Sequence, residues 1–292
     1  MKIIVTGSLG NISKPLTEEL VKKGHSVIVI SSSHEKQQAI EAMGASAAIG
    51  SLKDTAFLTS VFTGADAVYA MIPPNFTVPD VLAYYESLGN SYARAMKDSG
   101  VRRVVQLSSW GAHLPNGTGF IVGSYRVEQI LNELKEISIT YLRPGSFYNN
   151  LYPYADMIKT AGFIGTNFGA EDKVVMVSPK DIAAVAAEEL LLAPTENTIR
   201  YVASDERTCN ETADILGAAI GMPALKWIIL PDEQVKQSMI KTGLPEHVAG
   251  KLIELNSSIH TGLIRQDYDL HVPEMGKVKL EDFAKEFAAA FK

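Results

Sequence analysis

Gly7 and Gly10, three residues apart in the opening MKIIVTGSLGNIS, are the residues whose type and spacing bear most directly on chemistry. An apolar run through Ile3, Ile4 and Val5 breaks at Thr6-Gly7, and a helix is expected from about Asn11, with Pro15 in its first turn, where a missing amide proton costs little. Gly7 can take a turn conformation closed to other residues, and Gly10 lets the backbone come close to a ligand. A strand, a tight turn and a helix N-terminus together aim backbone amides and partial positive charge at one point, which suits the pyrophosphate of a dinucleotide. The expected contacts are Gly7, Ser8, Leu9, Gly10, Asn11 and Ile12. A purely structural turn is the plainer alternative; the position between the first strand and the first helix favours cofactor binding.

The elements that must hold this turn follow from periodicity. His25 to Ile30 is a second apolar strand, and Ser33 can cap a helix through Met43. Further strands are expected over Ala45 to Ile49, Ala65 to Ile72, Arg102 to Ser108 and Ile137 to Leu142, the last broken at Arg143-Pro144-Gly145. Helices are expected over Asp54 to Gly64, Pro79 to Ser99 and Tyr125 to Lys135. Short continuous apolar strands alternating with helices imply an α/β fold, a doubly wound parallel sheet covered on both faces. Regularity fades after about residue 150. Val174 to Val177 and Ile199 to Val202 read as isolated strands, and Val278 to Lys292 as a closing amphipathic helix that docks on its own domain or serves a homo-oligomer contact. The expected division is a dinucleotide-binding domain over 1–150 and a smaller α/β substrate lobe over 151–292, with some segments of the latter returning to the sheet. Ligands of such sheets lie beyond the carboxyl ends of the strands, so the second half is expected to wall a substrate cleft.

Composition narrows the function. The 292 residues are 46% hydrophobic and 21% charged, an ordinary soluble balance. A formal net charge of −6 gives no reason to expect nucleic acid, and no apolar stretch approaches the roughly 20 residues that span a bilayer. Residues 1 to 30 carry no secretion signal, so a cytoplasmic location is the default expectation. Cys209, the single cysteine, reads as a packed residue, having no partner for a disulfide or a zinc site. The acidic pairs Asp205-Glu206, Asp232-Glu233 and Glu281-Asp282 are expected at helix starts rather than on a metal.

TGSLGNIS, VVQLSSWGAH, YLRPGSFYNNL, VSPKDIAAVAAEELL and YVASDERTCNETADILGAAIG, in this order, resemble the atypical short-chain dehydrogenases, specifically the NmrA-like NAD(P)-binding group. The resemblance covers nearly the whole chain. It implies a Rossmann domain, usually with NADP(H), and a smaller C-terminal substrate lobe; the group holds quinone and other small-molecule reductases beside regulators that bind cofactor without turning it over. The common glycine pattern of these dehydrogenases has a third glycine where this chain has Ser13, a small residue expected to widen the turn slightly. The resemblance places the nicotinamide-side ribose near Met71, Ile72 and Pro73, near Leu107, Ser108 and Ser109, and near Pro144 to Phe147. Ser31, Ser32, Ser33 and Lys36 follow the second strand, with no carboxylate at the strand end for a ribose hydroxyl and a cation within reach of a 2′-phosphate. NADP is therefore expected over NAD, although Ser33 as a helix cap and Lys36 as a solvated charge are the plainer readings.

The usual short-chain reduction needs a tyrosine and, four residues later, a lysine that lowers its pKa. In GFIVGSYRVEQIL, aligning Glu128 with the family's glutamate puts Phe120 and Ser124 at those positions, and starting from Tyr125 puts Gln129 at the second. Neither register gives the dyad, and Arg126, adjacent to Tyr125, points elsewhere on a helix. A nicotinamide carries the hard chemistry itself, and a quinone or enone needs less acid assistance than a plain ketone. The expected function is an NADP(H)-dependent oxidoreductase acting on a small, activated acceptor. Ser109, His113 and Tyr125 are the candidate proton donors or hydrogen-bonding groups, against plainer lives as a strand end, a surface loop and a half-buried helix residue. Phe147, Tyr148, Tyr152, Tyr154, Phe163 and Phe168 line an acceptor pocket or form the lobe's own core, and Trp110 stacks on a ligand or simply packs. The alternative function is a non-catalytic NADP(H) redox sensor; an isomerase or dehydratase fits least, because those chemistries use the missing dyad.

Overall fold

The computed structural model describes residues 1–193 and 196–291. The first half alternates strand and helix: β1 (Lys2–Val5), α1 (Ser13–Lys22), β2 (Ser26–Ser31), α2 (Gln37–Ala42), β3 (Ser46–Ile49), α3 (Thr55–Phe62), β4 (Ala67–Ala70), α4 (Val81–Ser99), β5 (Arg103–Leu107), α5 (Ile121–Leu131) and β6 (Ser138–Pro144). The remainder runs β7 (Ser146–Phe147), α6 (Ala155–Ala161), β8 (Ile164–Thr166), β9 (Lys173–Val177), α7 (Pro179–Leu190), β10 (Thr198–Val202), β11 (Asp205–Thr208), α8 (Cys209–Ile220), β12 (Trp227–Ile229), α9 (Asp232–Lys241), α10 (Glu246–His260) and α11 (Leu280–Phe291).

Seven strands form one sheet in the order β10-β6-β5-β4-β1-β2-β3, and the pairs from β3 to β6 are all parallel. Every residue of β4 and β6 is buried, as a strand covered on both faces requires. The winding direction reverses at β1, which lies between β2 and β4, and that reversal is the position where open α/β sheets bind ligands. The expected doubly wound Rossmann sheet is therefore present.

Two compact units emerge. The first comprises Met1–Ser109, Gly123–Arg143 and Ile182–Arg200. Its core gathers Ile4, Leu58, Phe62, Tyr92, Val104 and Ile139. Asp54 and Asp80 cap α3 and α4 by accepting from Phe57 N and Ala83 N, and Gly100 ends α4 in the left-handed region. The second comprises Trp110–Val122, Pro144–Asp181 and Tyr201 onward. It carries a sheet ordered β11-β9-β7 and a parallel pair of β12 with β8.

Several expectations are corrected. Thr198–Val202 is the edge strand of the large sheet and not isolated, while β9 pairs with both β11 and β7. α5 starts at Ile121, four residues before the expected Tyr125. Asp205 and Glu206 lie on β11, because the helix start is claimed by Thr208 and Glu211, whose side chains form a reciprocal capping box. Asp205 instead accepts from Leu280 N at 3.2 Å, and Glu206 pairs with Arg265 at 2.9 Å. Ser33 makes no side-chain cap; a 3₁₀ turn, His34–Lys36, precedes α2. The closing helix ends at Phe291, and Lys292 lies outside the described residues.

Most of the aromatic cluster belongs to the second unit's core. Tyr148 stacks on Phe283 with centroids 5.3 Å apart, Tyr152 on Phe287 at 5.8 Å, and both Tyr154 and Phe168 meet Trp227. Trp110 is also buried in that core, as is Cys209, whose thiol is pushed far up by burial.

At the start of β5, the Arg103 guanidinium is 3% exposed and pairs with Glu189, 9% exposed, at 2.9 Å. Burial draws this guanidinium below its ordinary pKa, and Glu189 opposes that shift. Arg103 also donates to the Glu189 carbonyl, Ser138 Oγ and Thr140 Oγ1. Glu189→Ala should cost about 3 kcal/mol, the low end for breaking a buried pair, because those neutral acceptors stay. Chemical denaturation checks it: an unchanged midpoint would show that the pair contributes nothing.

Candidate active site

The turn after β1 is fastened through Thr6. Its amide donates to Tyr69 O at 3.0 Å, and its Oγ1 accepts from Met71 N at 2.8 Å, so the exits of β1 and β4 are locked together. Gly7 follows with φ +91° and Ser8 with φ 56°. A Cβ on Gly7 would stand 2.5 Å from Ser13 Oγ and 3.0 Å from Met71 Cγ, so both conformation and space require glycine here. Ser13 at the third pattern position is absorbed by a hydrogen bond: its buried hydroxyl donates to Thr6 O at 2.7 Å. Gly10 N closes the turn on Gly7 O at 3.0 Å.

Ile12 stands at the N-cap of α1 and supplies no side-chain acceptor. Among the described residues, nothing accepts from the amides of Asn11 and Ile12. Uncapped amides at a helix N-terminus, beside a turn that excludes side chains, fit a pyrophosphate. Leu9 lies in the same turn.

Ser8 Oγ donates to Ser31 Oγ at 2.9 Å, which ties the glycine turn to the end of β2. Ser31 Oγ also accepts from Ser33 N at 3.2 Å. Ser32 and Lys36 are exposed just beyond. The strand end carries no carboxylate, as expected; Glu35, which sequence reasoning passed over, sits on the same short turn as Lys36.

Met71, Ile72 and Pro73 leave β4 under the hold of α4. Tyr92 Oη donates to Met71 O at 2.8 Å and Tyr84 Oη to Pro73 O at 3.2 Å. Burial raises the Tyr92 pKa far above its ordinary value, so this hydroxyl serves as a neutral donor.

Leu107 ends β5, and Ser108 N donates to Leu142 O of β6 at 2.8 Å. Here lies a constellation that sequence reasoning missed. Ser108 Oγ donates to Glu128 Oε1 at 2.5 Å, and Arg143 grips the same carboxylate, Nε to Oε1 at 3.0 Å and Nη2 to Oε2 at 2.6 Å. Arg143 and Glu128 side chains are 5% and 4% exposed. The sequence offered Glu128 only as an alignment landmark and Arg143 only as a strand breaker. The available signal was Arg143 alone, a charge at the end of an apolar strand that must be paired if it is buried.

Tyr125 is half-buried on α5, and Ser109 is half-buried just beyond Ser108. Arg126 turns to Glu86 of α4 at 2.8 Å, so it is engaged away from any lysine-like role. α5 itself contains no lysine. His113, Pro144 and Phe147 belong to the second unit. His113 is half-buried in a turn, Pro144 O accepts from Trp110 N at 3.0 Å, and Phe147 pairs with Val177 of β9. Among the described residues, no group of three or more His, Cys, Asp or Glu gathers as metal ligands would, and no helix is long and apolar enough to cross a membrane.

A family model described as NAD(P)H-binding matches residues 7–191, beginning at the glycine turn. The chain belongs to this NAD(P)H-binding family, in line with its resemblance to the NmrA-like atypical short-chain dehydrogenases. It is 29% identical to an NAD(P)H azoreductase of Xenophilus azovorans, over 99% of each chain. In fold it is similar to the Citrobacter sp. triphenylmethane reductase complexed with NADP(H), with TM-score 0.79, 20% identity and coverage of 98% of this chain and 99% of that one. An NADPH-dependent quinone oxidoreductase from Escherichia coli, complexed with NADPH, gives TM-score 0.74 at 21% identity, over 97% and 99%.

Gly7→Ala should weaken dinucleotide binding by at least tenfold, roughly the worth of one misplaced donor set, with a lowered melting temperature. Ser13→Ala should lower stability by about 1 kcal/mol and leave binding in place. Fluorescence titration with NADPH and thermal melts check both; equal binding by wild type and Gly7→Ala would remove the turn from the site.

Proposed function

We propose that this protein is an NADP(H)-dependent reductase that delivers a hydride to a small, conjugated acceptor of the quinone, enone or azo type. The observation that carries the reading is the open amide cradle at Gly7–Ile12, in a chain similar from end to end to an NAD(P)H azoreductase. The cofactor supplies the hydride when bound. Gly7, Ser8, Leu9, Gly10, Asn11 and Ile12 hold its pyrophosphate, and Ser31, Ser32, Ser33 and Lys36 its adenosine ribose. Met71, Ile72, Pro73, Leu107, Ser108, Pro144 and Phe147 receive the nicotinamide half. Ser109, His113 or Tyr125 supplies or relays the proton that completes the two-electron reduction. No lysine on α5 lowers a tyrosine pKa, so an acceptor whose reduced form is already stable suits this site better than a plain ketone.

NADP is favoured by the exposed Lys36 beyond a strand end with no carboxylate, and by the NADPH and NADP(H) held in the two similar structures. Lys36→Ala should raise the KM for NADPH by about tenfold, the worth of one charge-assisted hydrogen bond, and leave that for NADH unchanged. Steady NADPH oxidation with a quinone, enone and azo panel tests the reaction. A folded protein that binds NADPH and turns over none of the panel would instead be a redox sensor, and it would have to bind NADP+ and NADPH with different affinities.

A further inference from the structure

Half-buried Ser108 and the buried Glu128 and Arg143 form a hydrogen-bonded unit in which the serine's hydrogen can be assigned. A carboxylate only accepts, and a guanidinium only donates. Glu128 Oε1 receives both Arg143 Nε and Ser108 Oγ, at 3.0 and 2.5 Å, so the serine's single hydrogen is committed to the carboxylate. What Ser108 Oγ retains is its lone pairs. They are fixed in direction, because the carboxylate that holds the hydrogen is itself held by two guanidinium donors. A hydroxyl free to rotate could donate or accept; this one can only accept.

The place of that acceptor follows from the sheet. β5 stands two strands from β1, on the side away from β2, which is about 10 Å at ~4.8 Å per strand. A pyrophosphate at the β1 turn with its adenosine ribose at the end of β2 sends the other half of the dinucleotide over β4 and β5. Stability alone is a poor reason for this pair, since a buried ion pair is often no better than apolar residues of equal volume.

We propose that Glu128, clamped by Arg143, is a positioning residue that fixes Ser108 Oγ as an acceptor for an O–H or N–H donor on the nicotinamide half of the cofactor. This rests on the NADP(H) reading above. The donor is a ribose hydroxyl or the carboxamide N–H. Ser108 takes no part as an acid, which leaves proton delivery to other groups.

The test compares Ser108→Ala and Glu128→Gln with the wild-type protein, by titration with NADPH and with adenosine 2′,5′-bisphosphate, which carries the adenosine half alone. Ser108→Ala deletes the acceptor and leaves Glu128 paired with Arg143. Glu128→Gln presents an amide that can donate to Ser108 Oγ and turn its hydrogen outward. Both variants should bind NADPH roughly tenfold more weakly, the worth of one hydrogen bond, and adenosine 2′,5′-bisphosphate as wild type does. Repeating the NADPH titration with the 3-acetylpyridine analogue, which has no carboxamide N–H, separates the two donors: a vanished Ser108→Ala penalty identifies the carboxamide, a retained one the ribose. Unchanged NADPH affinity in Ser108→Ala overturns the proposal, and so does an equal loss for both ligands, which a merely structural role would produce. A folded Glu128→Gln that binds NADPH as wild type does overturns the positioning role; if it fails to fold, Glu128→Asp, whose shorter side chain withdraws the carboxylate from Ser108 Oγ, takes its place. Wild-type protein that binds neither ligand would overturn the cofactor reading instead.

Discussion

Hydrogen bonds with β4, with the exit of β4 and with α1 converge on Thr6, and the glycine turn is built on that knot. Its amide reaches Tyr69 O, its carbonyl accepts from Ser13, and its side-chain oxygen accepts from Met71 N. One fully buried residue therefore joins β1, α1 and the exit of β4. Gly7 takes its positive φ freely, whereas Ser8 after it also stands at positive φ, which costs a non-glycine residue energy that the surrounding bonds offset. Ser13, which breaks the glycine pattern, becomes part of the knot. Its hydroxyl occupies space that a second side chain at Gly7 would need, so the serine and the glycine require one another.

Two buried arginine–carboxylate pairs flank the sheet's central strands, and they differ in kind. Arg103 faces Glu189 at the start of β5, where two neutral hydroxyls and a backbone carbonyl share the charge. Arg143 faces Glu128 at the end of β6, beside the Ser108 hydroxyl. The first pair sits at the amino end of the sheet's strands and the second at the carboxyl end, beyond which ligands of such sheets lie. Similar chemistry thus has different consequences: the first pair ties β5 to α7, and the second, on the proposal above, fixes which way a hydroxyl points.

The sheet was readable because parallel strands buried on both faces leave unbroken apolar runs, as at Ile3 to Val5 and Val104 to Val105. The glycine turn was readable because a positive φ leaves few residue choices. Less local features were hidden. Glu128 and Arg143 are fifteen positions apart on different elements, and nothing in either neighbourhood names the other. The start of α5 was hidden because Ile121, Val122 and Gly123 are weak helix formers; tertiary packing of Gly123 against Tyr85 overrides that propensity. Asp205-Glu206 resembled a helix start because a true one, Thr208 with Glu211, follows within three residues. The aromatic cluster was ambiguous for a physical reason: rings that fill a core and rings that line a pocket for flat acceptors are the same side chains.

Cofactor binding and acid catalysis place different demands on a chain. The cradle around Gly7 is made of backbone, so it tolerates change in every side chain that does not intrude, as Ser13 illustrates. A tyrosine–lysine dyad is made of side chains at one helical spacing, and a single substitution removes it. α5 retains the glutamate landmark, Glu128, while its neighbours Ser124 and Gln129 are uncharged. α5 positions a buried carboxylate against Ser108. On the reductase reading, α5 orients what binds, and the burden of driving the reaction falls on the acceptor. Acceptors whose conjugation stabilises the added electron pair meet that burden; simple carbonyls do not.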